Sequence, residues 1–201
     1  MKTIEDNRFI DNVVETLRKA AIEIEELQVQ AALGKAEAKD KYEEVKKKFN
    51  HVLHEAKTKI EAGREKTKDI HSKFDELRVQ LELGKAEGLD AFKAQKKSLL
   101  AKLHEIEMQI KTNKRLNDIY AFVLLEIEKF KIKLEVLEQK FEKGKANTKA
   151  SFEKGKNEFN VFIEQIKTKY GSKKEETKWE HFQDEISEAF THFKRAFMQP
   201  S

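Results

Sequence analysis

An internal repeat constrains the fold of this chain more than any other feature of its sequence. Residues 27–49 and 77–99 align without gaps at an offset of 50 and are identical at eleven of 23 positions. A fainter third copy covers residues 137–159. Self-similarity of this kind indicates that one structural unit recurs along the chain.

Each copy of the repeat places an aromatic residue eight positions after a glycine. The pairs are Gly34 with Tyr42, Gly84 with Phe92, and Gly144 with Phe152. Apolar residues around them recur every three or four positions, as in the seam of a coiled coil. Two successive steps of four follow the glycine in every copy. Such an insertion unwinds a supercoil locally, so we expect a straighter stretch of helix there.

The composition favours long helices over a globule with many turns. The 201 residues include one proline and seven glycines, the residue types on which turns depend. Charged residues make up 39% of the chain, against a usual share of about 25%. Acidic and basic residues are interleaved, which is typical of the solvated flanks of coiled coils. We therefore predict an all-α protein.

The predicted architecture is an elongated antiparallel coiled-coil bundle of three long helices within residues 1–170. Turns are expected near residue 63 and at residues 112–118, where Gly63 and the stretch TNKRLND carry turn residues. The chain has no proline at residue 63, so one continuous helix through that position stays open as an alternative.

With these turns, the aromatic residues of the repeat lie opposite glycines of the neighbouring helix. Tyr42 then faces Gly84, and Phe92 faces both Gly34 and Gly144. Glycine inside a helix costs roughly 1 kcal/mol relative to alanine. We therefore expect the glycines to act as holes that receive aromatic rings. The alternative is that they are inherited through duplication and have no packing role.

A shorter amphipathic helix is predicted over residues 172–198. Gly171 suits the C-cap of the preceding helix, and Ser172 with Glu175 forms a capping box. Apolar side chains then recur at helical spacing, at Trp179, Phe182, Ile186, Phe190, Phe193 and Phe197.

Sequence signatures of catalysis are not found. The Gly-Lys-Ala-Glu segment lacks the first glycine and the Lys-Ser/Thr pair of a phosphate-binding loop. The sequence also contains no nucleophile elbow and no zinc-protease helix. The sequence therefore predicts a protein that is not an enzyme, without catalytic, cofactor-binding or metal-binding residues.

A histidine cluster is the one arrangement that suggests a metal. His51 and His54 share a helix face, and a turn near residue 63 brings them close to His71 and Asp75. Imidazole and carboxylate groups suit transition metals. Because His54 recurs at the matching repeat position as His104, shared ancestry is the competing explanation. A metal-binding bundle is therefore the third functional hypothesis.

A pair of Phe-Glu-Lys-Gly-Lys motifs raises the alternative of membrane-surface binding. The motifs occupy residues 141–145 and 152–156, eleven residues apart. Phenylalanine and flanking lysine at this spacing also occur in helices that lie on lipid. The heptad positions of these phenylalanines favour a packed core instead. Nucleic-acid binding is disfavoured, because the basic stretch at residues 140–156 also contains Glu142 and Glu153.

The sequence predicts a cytoplasmic location. The chain has no cysteine, which fits a reducing compartment. Acidic residues near the N-terminus replace the apolar run of a signal peptide. The longest apolar stretch, residues 120–125, is too short to span a bilayer.

The Lys-Ala-Glu-Ala run before an aromatic (35–42) and the closing Trp-acid helix (179–197) resemble a group of bacterial coiled-coil and stress-response proteins. The resemblance implies a cytoplasmic helical protein and supplies no catalytic residues. This chain differs from the group in its length and its third glycine-bearing copy. We therefore expect a non-catalytic structural or interaction protein, with a stress-related role, that binds another protein or a second copy of itself. A homodimer is expected because the bundle leaves apolar surface exposed.

Overall fold

The computed structural model describes residues 3–30, 35–62, 68–112, 118–143, 149–171, 186–188 and 190–191. Six helices account for most of them: α1 (Thr3–Gln30), α2 (Lys35–Ala62), α3 (Lys68–Glu82), α4 (Leu89–Thr112), α5 (Asp118–Lys143) and α6 (Lys149–Gly171). The described residues near the C-terminus are also helical. The predicted all-α fold is confirmed for this part of the chain, where no strand occurs.

The chain divides into two compact units. The smaller unit consists of Met1–Glu26 and Ala146–Ser201, and the larger unit consists of Leu27–Lys145. The first two copies of the repeat, residues 27–49 and 77–99, both lie in the larger unit.

Helices α2 to α5 form an antiparallel bundle in which α2 and α4 each pack against α3 and α5. Ion pairs and hydrogen bonds fix the direction of each neighbour. Between α2 and α3, Lys57 pairs with Asp75 at 2.7 Å, and Asn50 donates to Glu82 at 3.1 Å. The residue number therefore rises in α2 while it falls in α3. This arrangement of neighbouring antiparallel helices is that of a four-helix bundle.

The core of the larger unit follows the apolar spacing of three and four residues. In α4 the buried apolar side chains are Phe92, Leu99, Leu103, Ile106 and Ile110. Between α2 and α5, the rings of Phe49 and Phe130 stack with centroids 4.2 Å apart. Burying each large apolar side chain contributes about 1.5–3 kcal/mol, so these seams supply most of the drive to fold.

A single long helix between the two predicted turns is not what the structure shows. Residues 83–88 are not helical, and α3 and α4 fold back on each other around them. Lys73 pairs with Glu105 at 2.5 Å, and Lys102 pairs with Glu76 at 2.8 Å. The physical reason is that glycine weakens the helix here while side chains of α2 and α4 bind the freed carbonyls. The step of four residues therefore marks a helix end in this copy, and the arrangement of three long helices is not confirmed.

The predicted fit of Tyr42 over Gly84 is wrong. Gly84 is exposed, and a Cβ atom built on it would meet no atom within 4 Å. Tyr42 instead meets Phe92 edge-to-face, with centroids 4.8 Å apart. Gly34, Gly144 and the side chain of Phe152 lie outside the described residues.

The predicted turns adjoin observed helix ends. Helix α2 ends at Ala62 and α3 begins at Lys68, while α4 ends at Thr112 and α5 begins at Asp118. Residues 63–67 and 113–117 between these ends lie outside the described part of the chain, and so does Gly63.

The smaller unit contains an antiparallel contact between α1 and α6. Arg18 pairs with Glu164 at 2.8 Å, and Lys156 pairs with Glu25 at 2.8 Å. Near the C-terminus, Phe190 is buried with its ring 5.7 Å from that of Phe159. The remaining residues of the predicted helix 172–198, apart from helical 186–188 and 191, are outside the described set.

None of the described helices is both long enough and apolar enough to cross a membrane.

Candidate functional site: an aromatic and lysine cluster beside the α3–α4 loop

The α3–α4 loop, residues 83–88, is held by side chains from two helices. Lys46 of α2 donates from Nζ to the carbonyl oxygen of Leu83 at 3.1 Å. Gln95 of α4 donates from Nε2 to the carbonyl oxygen of Gly84 at 2.7 Å. The last carbonyls of a helix have no partner within the helix, so these two side chains cap the C-terminus of α3.

Helix α4 begins directly after this loop. The backbone N–H of Phe92 donates to the carbonyl oxygen of Gly88 at 2.9 Å, which closes the first turn. Asp90 lies in the same turn, where a negative charge is favourable beside the positive end of the helix dipole. The sequence at this point therefore favours a new helix start.

Tyr42 connects α2 to the loop through Gln95. The Tyr42 hydroxyl donates to Oε1 of Gln95 at 3.0 Å, and the amide of Gln95 continues to the loop carbonyl. Burial raises the pKa of Tyr42, and the charge of Glu43 adds to the effect. The phenol consequently stays protonated and acts as a donor at every ordinary pH.

The ring of Phe92 lies between two other aromatic rings. It meets Tyr42 edge-to-face on the α2 side and stacks on Phe141 of α5, with centroids 4.7 Å apart. Aromatic pairs contribute about 0.5–1.5 kcal/mol each beyond the area that they bury. Three helices are thus joined at one level of the bundle.

Lys46 is a charged residue in this apolar setting, with only 2% of its surface exposed. Its Nζ lies 2.8 Å from Oε1 of Glu43 and 4.8 Å from the centroid of the Tyr42 ring. Carboxylate, loop carbonyl and ring face together replace the water that the ammonium loses on burial.

The position of Lys46 recurs in all three copies of the repeat, four residues after the aromatic, as Lys96 and Lys156. Lys96 is buried and pairs with Glu135 at 2.7 Å and also with Glu138. Lys156, in the smaller unit, pairs with Glu25 of α1. The repeated lysine therefore binds a group outside its own helix in each copy. That group is a loop carbonyl for Lys46 and a carboxylate of another helix for Lys96 and Lys156. Sequence reasoning missed this role, although the aromatic-x-x-x-Lys spacing was visible in every copy.

A second charged cluster joins α4 and α5. Nζ of Lys131 contacts both Glu107 and Glu128, the latter at 3.1 Å. Only 8% of Glu107 is exposed. Burial raises the pKa of Glu128 to about 7, with Lys131 opposing the shift and Glu107 adding to it. Two carboxylates thus share one ammonium in a partly dehydrated interface.

Lys140 is buried near the end of α5, with 4% of its surface exposed. Its Nζ has no hydrogen-bond partner among the residues that the structure describes. Burial lowers the pKa of this lysine, because removing water disfavours the charged form.

The four residues of the suggested metal cluster do not form one site. Nε2 of His51 lies 3.1 Å from Glu55, and Nδ1 of His71 lies 3.8 Å from Glu61. Asp75 accepts from Lys57 at 2.7 Å, and His54 is exposed. Within the described ranges, no group of three or more histidine, aspartate and glutamate side chains could hold a metal ion.

The aromatic and lysine cluster consists of Tyr42, Lys46, Phe92, Gln95 and Phe141. Its contacts stabilise the packing of α2, α4 and α5 and the α3–α4 loop. Hydrogen bonds of Lys46 and Gln95 reach loop carbonyls, and the Tyr42 hydroxyl donates to Gln95 across α2 and α4. The ion pair of Lys46 with Glu43 lies within α2. Comparison with protein-family models, with curated proteins and with solved structures gives no match to this chain.

Proposed function

We propose that this protein is a non-catalytic structural or interaction protein, a coiled-coil bundle that acts by binding another protein or a second copy of itself. Its charged side chains hold helices in register, and the part of the surface that remains apolar supplies the contacts for association. A stress-related role, implied by the resemblance of its sequence, stays a prediction.

The observation that carries this proposal is the use of buried charge at helix interfaces. Lys46, Lys96 and Lys131 each bind groups on a neighbouring helix or its loop. Removing one partner of a buried pair costs about 3–5 kcal/mol, so such pairs favour one register over others. A bundle with fixed register presents a fixed surface, which a binding protein requires.

An apolar surface beside the α3–α4 loop supports association. Val79 is 59% exposed and Leu83, four residues later, is 47% exposed. A contiguous apolar patch on a surface can be covered by a partner, and we place that contact at these two side chains.

Light scattering coupled to size exclusion, over a series of protein concentrations, tests self-association directly. A mass that rises with concentration supports the proposal. A mass that stays at one chain up to the highest concentration, together with no saturable binding to any protein, would refute it.

Membrane-surface binding is the competing function, and the described residues weigh against it at one motif. Phe141 is buried and stacked on Phe92, so it must leave the core before it can reach lipid. Co-sedimentation with vesicles of anionic lipid separates the two functions. Protein in the pellet, with Phe141 becoming exposed, would favour the membrane.

A further inference from the structure

We propose that the partner is a second copy of this chain, joined by exchange of helices at the α3–α4 loop. The loop opens, and α3 and α4 become one helix from Lys68 to Thr112. Helices α4 and α5 of each copy then pack against α3 and α2 of the other. The proposal rests on the proposed function and names its partner, and it assigns the association to helix interfaces rather than to the exposed side chains of Val79 and Leu83.

The surface for this exchange consists of the interface between α3 and α4 and the interface between α2 and α5. Both are already complementary. Lys73 pairs with Glu105, Lys102 pairs with Glu76, and Oγ of Ser98 donates to Gln80 at 3.0 Å. In the exchanged dimer each of these contacts forms twice between the two copies. Exchange of identical elements needs no new interface and is therefore a low-cost route to a dimer.

The glycines of the loop are not required by the hairpin. Neither Gly84 nor Gly88 has a φ in the left-handed region, and a Cβ atom on either would meet nothing within 4 Å. Alanine fits both positions in the observed fold. Glycine does, however, weaken a continuous helix. These two residues therefore mainly destabilise the continuous helix of the exchanged dimer.

Opening the loop replaces its bonds rather than removing them. The carbonyls of Leu83 and Gly84 now accept from Lys46 and Gln95. In a continuous helix the same carbonyls accept from backbone N–H groups four residues later. Opening the loop also moves its buried apolar side chain. Within residues 83–88 that side chain is Ala86, with 2% of its surface exposed, so only a methyl group changes place.

In the continuous helix, the apolar positions of α3 and α4 lie on the same face and continue through residues 83–88. Leu81, Gly84, Gly88 and Phe92 follow one another in steps of three or four residues. Extending the observed antiparallel register of α3 and α4 places Phe92 opposite Ala86 of the second copy, between that copy's two glycines. The ring of Phe92 then lies over glycines of the second copy, whereas within one chain the ring of Tyr42 does not lie over Gly84.

The double variant Gly84→Ala/Gly88→Ala tests the exchange. It removes the resistance to a continuous helix and leaves the hairpin without a clash. We expect dimerisation, measured by light scattering over a concentration series, to strengthen at least about tenfold. Ala101→Gly is the matched control, because this exposed residue of α4 is helical in both forms. It should leave the monomer–dimer equilibrium unchanged.

Cysteine cross-linking identifies which chains supply the interface. The chain has no cysteine of its own, so Gln80→Cys/Ser98→Cys introduces one facing pair. After equilibration at high concentration, a short bis-maleimide cross-linker should give covalent dimers in the exchanged form. The single variant Gln80→Cys measures random collision and should give few.

The outcomes separate the exchange from self-association in general. Covalent dimers that increase in the double-alanine background support the exchange. A dimer whose cross-links stay within one chain would overturn the exchange while leaving self-association intact. A chain that is monomeric at every concentration, even with both alanines, would contradict both.

Discussion

Lys46 and Lys96 occupy the same position in two copies of the repeat, and both are buried, yet they bind different groups. Lys46 binds a loop carbonyl and Glu43, whereas Lys96 binds two carboxylates of α5. Duplication therefore kept the buried ammonium and changed its partners.

Replacing Lys96 with methionine should destabilise the larger unit. The change leaves Glu135 and Glu138 in a partly dehydrated interface without their shared lysine. Loss of one partner of such a group costs about 3–5 kcal/mol, so the midpoint of urea unfolding should fall clearly. An unchanged midpoint would mean that water replaces the ammonium without cost.

Replacing Lys140 with methionine should instead stabilise the larger unit. Its buried Nζ lacks a hydrogen-bond partner among the described residues, and methionine keeps the length of the stem without the charge. We expect the free energy of unfolding to rise by about 1–2 kcal/mol. Lys140→Met and Lys96→Met form a matched pair, and an equal loss in both would show that Lys140 has a partner in solution.

The helical class of the fold follows from the sequence, because a charge-rich chain with one proline has few other stable forms. The helix end at residues 83–88 was missed for a physical reason. A step of four residues in the apolar pattern looks the same whether the helix continues or stops. Two side-chain hydrogen bonds to loop carbonyls favour the helix end: one from Gln95, eleven residues along the chain, and a long-range one from Lys46. The apolar pattern contains neither of them.

The candidate site was not predictable to the same degree. Lysine is almost never fully buried unless it is paired, so sequence reasoning assigns Lys46 and Lys96 to solvated faces. Their burial depends on which helices become neighbours. The recurrence of lysine four residues after each aromatic was the one available signal.

Truncating Phe92 to alanine should cost about 3–5 kcal/mol, since the ring is buried between Tyr42 and Phe141 and its loss leaves a cavity. Thermal unfolding followed by circular dichroism measures the change. Val79→Ala is the control at an exposed apolar position and should stay within about 0.5 kcal/mol of the parent. Similar values for both variants would contradict the aromatic packing described above.

The raised pKa of Glu128 predicts that the free energy of unfolding falls as the pH rises. Its pKa is raised from 4.5 to about 7 in the folded chain, so the folded state binds more protons than the unfolded state between these values. The stability that this group contributes is present at low pH, falls as the pH rises through that window, and is level above it. The loss should reach about 1–3 kcal/mol.

Urea unfolding of the parent and of Glu128→Gln, at about pH 5 and pH 8, isolates this contribution. The rest of the chain is identical in both proteins, so the difference between the two slopes belongs to Glu128 and its neighbours Glu107 and Lys131. Parallel slopes would show that the Glu128 carboxyl is ionised throughout the range.

Helix α5 has buried residues on every side of its axis, unlike its neighbours, which keep exposed faces. Buried positions follow one another without a break from Tyr120 to Ala121 and again from Val123 to Ile127. Amide hydrogens in such a helix exchange with solvent deuterium only when the surrounding structure opens as a whole. The exchange rate of α5 thus reports the global free energy of unfolding, while faster exchange at residues 83–88 would report local openings of the loop.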